Sequence, residues 1–507
     1  MTEDFLSLVN RIDIDFVAID EAHCVSQWGQ DFRPSYVKIG DFIDGLPKRP
    51  VVAAFTATAT ADVSGDIARL LKLNDPYVTV TGFDRPNLTF NVIKPENKYR
   101  ALVDIMRFNE DKNGIIYCAT RKSVEEVCSK LTSDGFSATR YHAGLTEDER
   151  HDNQDDFIFD RKKVMVATNA FGMGIDKSNV AFVVHYNMPK SIEAYYQEAG
   201  RAGRDGEPAQ CTLLYSGQDV RINRFMIEQS ESNPEISARV RAQIKEKDFE
   251  RLKMMTYYST TTECLREFIL RYFGERTHSY CGNCSNCNTT FETVDITVEA
   301  QKIISCVFRM SKMNRSYGKL MIVDVLRGST NEKIKRLGLE ALSTYNIMSD
   351  VPSRRLHKIV DYLVDHEYLA TTLDEFPVIE LTGKSGEVIK QLNPVFMKLP
   401  KEVIKTDSER QDEKMGKRNK GKGKKGKGKQ KHSTSDDPLY DKLRDLRTKL
   451  AAQQRVPAYI IFSDASLRDM CVKQPTTLDA FMDVSGVGQS KLEKYGDAFT
   501  ALIRDAI

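Results

Sequence analysis

Six short apolar runs alternate with helix-like stretches through the first 215 residues: Phe16–Ile19, Val51–Phe55, Ile115–Tyr117, Val164–Ala167, Phe182–Val184 and Thr212–Leu214. Short apolar runs bounded by polar or turn residues suit strands buried on both faces and joined by crossover helices, so a parallel α/β architecture is expected. Phe83–Leu88 (FDRPNL) breaks the alternation with a proline and reads as a hinge between two α/β lobes. From Asp219 to about Phe273 the pattern is helical and rich in charge. Residues 298–365 are again helical, and Leu356, Ile359, Val360, Leu363 and Val364 recur at helical spacing after Pro352 and Ser353, a capped start. Tyr368–Thr382 then reads as two short strands, and helices followed by a hairpin suggest a winged helix. Beyond a Gly/Lys linker, Leu443, Leu446 and Leu450 open a small helical domain that runs to the C-terminus.

A chain of 507 residues holds roughly three to five domains at about 100–200 residues each, and 41% hydrophobic content lets most of it bury cores. Runs such as Val51–Phe55 are far too short to cross a bilayer, and Met1–Asn10 has no signal-peptide pattern, so no membrane role is expected. Ten cysteines without a secretory signal point to reduced thiols or a metal site in an intracellular protein. Net charge is +2, yet Lys414–Lys431 carries ten basic residues and no acids, which leaves −8 for the rest. A near-neutral total does not argue against nucleic acid, because binding follows local basic surface.

The first run ends in Asp20-Glu21-Ala22-His23. Ligands of open α/β sheets sit at the carboxyl ends of strands, so these acids face a crevice. There an Asp can hold Mg²⁺ on nucleotide phosphates, and the next Glu can orient and deprotonate the attacking water. Two acids capping the following helix would read the same way in isolation. Other segments join them. Ala54–Thr60 (AFTATAT) follows the second run, where small hydroxyl residues can link the lobes. Val164–Asp176 (VMVATNAFGMGID) leads into a loop that would present backbone amides around Gly174, and Asp176, to the cleft. Tyr196–Gly206 (YQEAGRAGRDG) sets Arg201 and Arg204 three apart on what reads as a helical turn, where arginines can reach a γ-phosphate.

The ordered set DEAH, TATAT, YCATRK, ATNAFGMGID and QEAGRAGRDG resembles motifs II to VI of superfamily 2 helicases. The resemblance implies that Asp20 ligates Mg²⁺, Glu21 is the catalytic base and His23 couples hydrolysis to movement. It also implies that Gln197, Arg201 and Arg204 meet the γ-phosphate, with Arg204 as the arginine finger.

Two features narrow the resemblance. Directly after DEAH, Cys24–Pro34 (CVSQWGQDFRP) holds the only tryptophan. Trp28, Phe32 and Arg33 can stack on bases of a single strand, although aromaticity alone favours a buried Trp anchoring the loop. The stretch resembles the aromatic-rich loop of RecQ helicases, which links single-strand binding to hydrolysis. Cys264, Cys281, Cys284 and Cys287 read C-x16-C-x2-C-x2-C, with Cys264 on a helix continuing through Phe273. Four thiolates close a tetrahedral structural Zn²⁺ site with no open position. Cys118, Cys128, Cys211, Cys306 and Cys471 lack ligand spacing and read as core. CLREFILRYFGE followed by CGNCSNC resembles the RecQ zinc-binding domain, and Tyr317–Asp350 resembles the core of its winged helix.

The family resemblance implies a multidomain α/β plus α fold. Its parts are a partial first RecA-like lobe (1–84), a second RecA-like lobe (85–218), a helical zinc-binding domain (219–292) and a winged-helix RQC domain (293–405). A basic linker (406–436) and an HRDC domain (437–507) complete it. Thr120, Arg121 and Asn169 would meet the single strand; Arg354, Arg355 and Lys358 approach duplex phosphates, or form an ordinary exposed face. Ser485–Gly488 (SGVG) can offer amides to a phosphate or be a plain helix–helix turn.

One part of the pattern is absent. Such motors need G-x-x-x-x-G-K-[ST] before the Asp-Glu motif, and only 19 residues precede Asp20. Gly383-Lys384-Ser385 is a decoy, with Val378 where the first glycine would stand. The expectation is therefore a partial record of a longer protein, in which this chain alone hydrolyses ATP poorly or not at all. The expected function is a 3′-to-5′ ATP-dependent DNA helicase of recombination, repair and replication, using ATP, Mg²⁺ and Zn²⁺. It would act on single-stranded and forked duplex DNA, with a single-strand-binding protein as a further partner. A monomer in the bacterial cytoplasm, associated with the nucleoid, is expected. A DNA-binding protein with a decayed motor and an RNA helicase are the rival readings.

Overall fold

The computed structural model describes residues 3–9, 11–26, 33–172, 177–229, 238–275, 279–313, 315–372, 378–390, 394–400 and 438–507. Trp28, Phe32, Gly174 and Asp176 lie outside the described residues, as does the basic linker.

The first lobe pairs β1 (Phe16–Ile19) and β2 (Val51–Ala54) in parallel. Helices Pro34–Asp44 and Ala61–Leu70 cover them, and Ile19, Ala22, Val25, Ile43, Val63, Ile67 and Leu71 form the core. The second lobe is a six-stranded sheet of β3 (Leu88–Ile93), β4 (Asn113–Tyr117), β5 (Ala138–Tyr141), β6 (Val164–Ala167), β7 (Val180–His185) and β8 (Ala209–Leu214). Its order is β3-β8-β7-β4-β6-β5, and every pairing is parallel. Apolar clusters cover both faces, which is why β4 and β6 read as unbroken apolar runs. The edge strands β3 and β5 fall outside the six apolar runs.

Helices Gly217–Gln229, Ala238–Thr260 and Leu265–Tyr272 follow. Leu252, Met255, Tyr258, Leu265, Phe268 and Phe273 join Phe90 and Tyr195 in one core, so these helices and the second lobe are a single packed unit. The winged-helix region packs helices Thr297–Lys312, Lys319–Leu326 and Ser353–Asp365 beneath two antiparallel pairs. Those pairs are β9 (Phe291–Asp295) with β12 (Phe396–Pro400), and the expected hairpin of β10 (Leu369–Thr371) and β11 (Ile379–Leu381). Helix Ser353–Asp365 starts without a side-chain cap: Pro352 takes the capping position and Ser353 is the first helical residue. The C-terminal helices, chiefly Pro438–Gln454, Asp464–Lys473 and Gln489–Ala506, close around Leu443, Phe462, Phe481 and Phe499. Among the described residues no helix is long and apolar enough to cross a membrane.

Candidate functional site

The two strands of the first lobe bring the acids to the mouth of the cleft. Ile19 accepts the Phe55 N–H at 2.8 Å, and Phe55 accepts that of Ala22 at 2.9 Å. Between them Glu21 adopts φ 47°, ψ 42°, a left-handed conformation that costs a non-glycine residue ~1–2 kcal/mol. Asp20 is exposed and its carboxylate accepts the Glu21 N–H at 2.8 Å. The Gln197 amide, from helix Ile192–Ala199 of the second lobe, donates to Glu21 Oε1 at 2.8 Å. Glu21 Oε2 is buried, has no hydrogen bond among the described residues and lies 3.3 Å from His23 Nδ1. His23 is itself buried, with Nδ1 3.0 Å from Thr56 Oγ1. The TATAT segment therefore meets the DEAH segment at His23. Gln197 makes a contact between the lobes.

Arg201 and Arg204 lie past the end of their helix. It stops at Ala199, and both arginines sit in turns, because Gly200 and Gly203 interrupt the helical run. Arg201 Nη1 donates to the Gly172 carbonyl at 2.6 Å, and a Cβ on Gly172 would stand 2.5 Å from Nη2. Gly203 has φ +57°, and a Cβ there would meet the Glu207 carbonyl at 2.8 Å. Arg204 is exposed. Residues 200–203 are held from below by Arg85, which donates to the carbonyls of Gly200 (3.3 Å), Ala202 (3.1 Å) and Gly203 (2.8 Å). Nothing in the sequence reading marked Arg85 beyond its place in the hinge.

Thr120 caps helix Arg121–Ser133, its side chain accepting the Ser123 N–H at 3.1 Å, and Arg121 is exposed on the first turn. Asn169 is exposed just beyond β6. Arg33 stands at the start of helix Pro34–Asp44, its N–H donating to the Cys24 carbonyl at 2.9 Å. In the winged helix, Arg354 pairs with Glu96 of the second lobe at 3.0 Å, and Arg355 with Glu299 at 3.3 Å. Lys358 is exposed. At the other end of that helix Asp365 accepts from the Tyr215 hydroxyl at 3.0 Å and lies 3.8 Å from Lys94. In the C-terminal domain the Ser485 N–H donates to the Asp469 carboxylate at 2.7 Å, so that amide of the SGVG turn already has an anionic acceptor.

The four spaced cysteines converge. The sulfurs of Cys264, Cys281, Cys284 and Cys287 all lie within 4.8 Å of one another, and those of Cys281 and Cys287 are 3.9 Å apart. A tetrahedron with Zn–S bonds of ~2.3 Å has edges of ~3.8 Å. Cys264 is the N-cap of helix Leu265–Tyr272 and lies just before its first helical residue. Backbone N–H groups of Glu267, Asn283 and Cys287 donate to Cys264, Cys281 and Cys284 at 3.3–3.5 Å. Burial pushes the Cys264 thiol up to about 12 and raises Cys284, whereas at Cys287 burial is outweighed by hydrogen bonds from the Cys281 and Gly282 backbone and from neighbouring thiols, which lower it. The geometry and donor set fit Zn²⁺.

Comparison with known proteins agrees with this arrangement. Residues 97–206 match the helicase conserved C-terminal domain, 217–288 the RecQ zinc-binding domain, 290–406 the RQC domain and 436–503 the HRDC domain. The chain is 40% identical over 496 residues to the ATP-dependent DNA helicase RecQ of Bacillus subtilis (strain 168), across 98% of this chain and 77% of the relative. The chain belongs to the RecQ family. A second RecQ relative, from Pasteurella multocida (strain Pm70), is 35% identical over 513 residues, covering 99% of this chain and 75% of its own. The RecQ-type assignment makes the chain an ATP-dependent DNA helicase that uses ATP and Mg²⁺, and the cluster of Cys264, Cys281, Cys284 and Cys287 fits Zn²⁺.

Proposed function

We propose that the acids of the first lobe and the arginines of the second form one hydrolytic site. The observation that carries this reading is the Gln197–Glu21 hydrogen bond, which ties the QEAGRAGRDG segment to the DEAH carboxylate across the cleft. Glu21 has Oε1 held by Gln197 and Oε2 3.3 Å from His23 Nδ1, and its carboxylate would act as the base toward water. Asp20, exposed beside it, would hold Mg²⁺, which lends charge stabilisation to the phosphates. Arg201 and Arg204 would neutralise charge on the γ-phosphoryl group, with Arg204 as the finger. His23, joined to both Glu21 and Thr56, would pass the state of the site into the first lobe. Gly174 and Asp176 would complete the cleft.

On the DNA side, Thr120, Arg121 and Asn169 would grip the backbone of a single strand, with Trp28, Phe32 and Arg33 stacking beside the acids. Arg354, Arg355 and Lys358 would meet duplex phosphates once the first two exchange their acidic partners. The domain boundaries are 1–84, 85–218, 219–292, 293–405, 406–436 and 437–507. Translocation is 3′ to 5′, a single-strand-binding protein is a partner, and the chain works as a monomer in the bacterial cytoplasm at the nucleoid.

The test is single-strand-stimulated ATP hydrolysis by zinc-loaded protein beside Glu21→Gln, with single-strand affinity of Arg121→Ala measured in parallel. Turnover that is lost in Glu21→Gln supports the hydrolytic site, turnover that survives the substitution removes it, and no turnover above the Glu21→Gln control agrees with the expectation that this chain alone hydrolyses ATP poorly or not at all. Unchanged affinity and salt dependence in Arg121→Ala would remove that residue from the DNA track.

A further inference from the structure

The zinc module touches the motor at the hinge, and there the contacts are polar, numerous and mostly part-buried. Arg266 is the second residue of the helix that Cys264 caps, and it is 6% exposed. Its guanidinium donates to Asp84 Oδ1 at 2.6 Å and to the carbonyls of Arg85 at 2.7 Å, Pro86 at 3.3 Å, and Leu88. Asn283, between two zinc ligands, donates to the carbonyls of Pro86 and Leu88, both at 3.3 Å, and accepts from the Thr89 hydroxyl at 2.7 Å. Side chains of the metal module therefore satisfy the carbonyls of Arg85 and Pro86 just before β3 and that of Leu88 at its start.

The same stretch reaches forward. Arg85 binds three carbonyls of residues 200–203, and Asn87 binds those of Gly203 and Glu207 at 2.8 and 2.9 Å. The Tyr196 hydroxyl donates to the Phe83 carbonyl at 2.7 Å, and the Phe83 ring stacks on Phe273 at 4.4 Å. The six residues of the hinge, Phe83–Leu88, thus carry the zinc module on one side and the arginine-bearing turn on the other.

We propose that the zinc module sets the placement of Arg201 and Arg204, acting through Arg266 and Arg85 as positioning residues. Charge-assisted, multidentate hydrogen bonds give this path a fixed geometry that apolar packing would not. The inference rests on the reading that those two arginines serve the γ-phosphate.

Hydrogen-exchange mass spectrometry of the full chain tests it, with zinc content measured on the same samples. The readouts are the amides of 84–93 and 199–206, with β4 and β6 as internal references. Arg266→Gln should keep its zinc yet exchange in both segments roughly tenfold faster or more, as expected for several lost charge-assisted bonds. Arg266→Lys should restore part of the protection. Arg85→Gln should release 199–206 and leave 264–288 protected, and chelated wild type should reproduce the Arg266→Gln pattern. The proposal is overturned if 199–206 stays protected in Arg266→Gln or after chelation. It is equally overturned if β4 and β6 open to the same extent, since the effect would then be general instability. Normal ATP turnover in Arg204→Ala would remove the γ-phosphate reading and leave the exchange result standing, so the two failures are distinguishable.

Discussion

Replacing Lys177 by methionine should cost the second lobe about 3 kcal/mol, and replacing Asp160 by asparagine in the same chain should return most of it. Lys177 follows the ATNAFGMGID loop, and its side chain is 1% exposed. The ammonium donates to Asp160 Oδ1 at 2.7 Å and the Ile158 carbonyl at 3.3 Å, and lies over the Phe157 ring at 5.2 Å. Asp160 holds a left-handed backbone at φ 61° and also accepts from the Asn113 amide at 2.8 Å. Burial draws the lysine below its ordinary value. Burial pushes Asp160 upward, but the ammonium beside it outweighs that and holds the carboxyl low.

Breaking a buried pair from one side costs ~3–5 kcal/mol because an uncompensated charge stays behind. Asp160 is 25% exposed and keeps the Asn113 amide, which places the cost at the lower end. In urea, with a slope of ~2–3 kcal/mol/M, the midpoint should fall by roughly 1–1.5 M. Because the chain has several domains, the transition should be followed locally, by hydrogen exchange in β4, β6 and β7. A midpoint unchanged in Lys177→Met would refute the reasoning. So would a double variant less stable than the single one, since the loss would then come from packing and not from a stranded charge.

Other outcomes follow from the same geometry. Burial raises Asp205 to about 6, so its contribution to folding is fully present below the ordinary 3.8 and is lost as pH climbs through about 6. Asp205→Asn, which keeps an acceptor for the Glu207 N–H, should therefore raise the melting temperature at pH 7 and not at pH 4; a lower melting temperature at pH 7 would contradict this. Gly203→Ala combines a left-handed backbone with a clash on the Glu207 carbonyl and should cost ~2–4 kcal/mol in a thermal scan. Cys284→Ser removes one of four ligands, worth ~2.5–4 kcal/mol if the ~10–16 kcal/mol of structural zinc is shared evenly. Metal titration should show zinc affinity down by about two to three orders of magnitude.

The parts of the fold visible in the sequence are those where burial leaves a local mark. β4, β6 and β7 are covered on both faces and show as apolar runs, whereas β3 (LTFNVI) and β5 (ATRY) mix polar residues because they lie at the edges. The pairing of β9 with β12 joins segments about 100 residues apart, and no local pattern announces it. Zinc ligands declare themselves by spacing alone. The interlobe Gln197–Glu21 bond and the ion pairs of Arg354 and Arg355 depend on chain folding across long separations. Arg266 left a clue that went unread: it lies among Leu265, Phe268, Ile269 and Leu270, on the buried part of its helix, where an arginine needs acceptors waiting.

The metal knuckle also occupies the outer side of β3, one of the two edges of the six-stranded sheet. The Ser285 N–H donates to the Phe90 carbonyl at 2.9 Å, the Val92 N–H donates to Ser285 Oγ at 3.2 Å, and Phe90 and Cys284 form a parallel bridge. An uncovered sheet edge is a template for pairing with other chains. Protein made in zinc-poor medium is accordingly expected to partition further into the insoluble fraction than protein made with zinc, because the β3 edge would be uncovered while the chain folds.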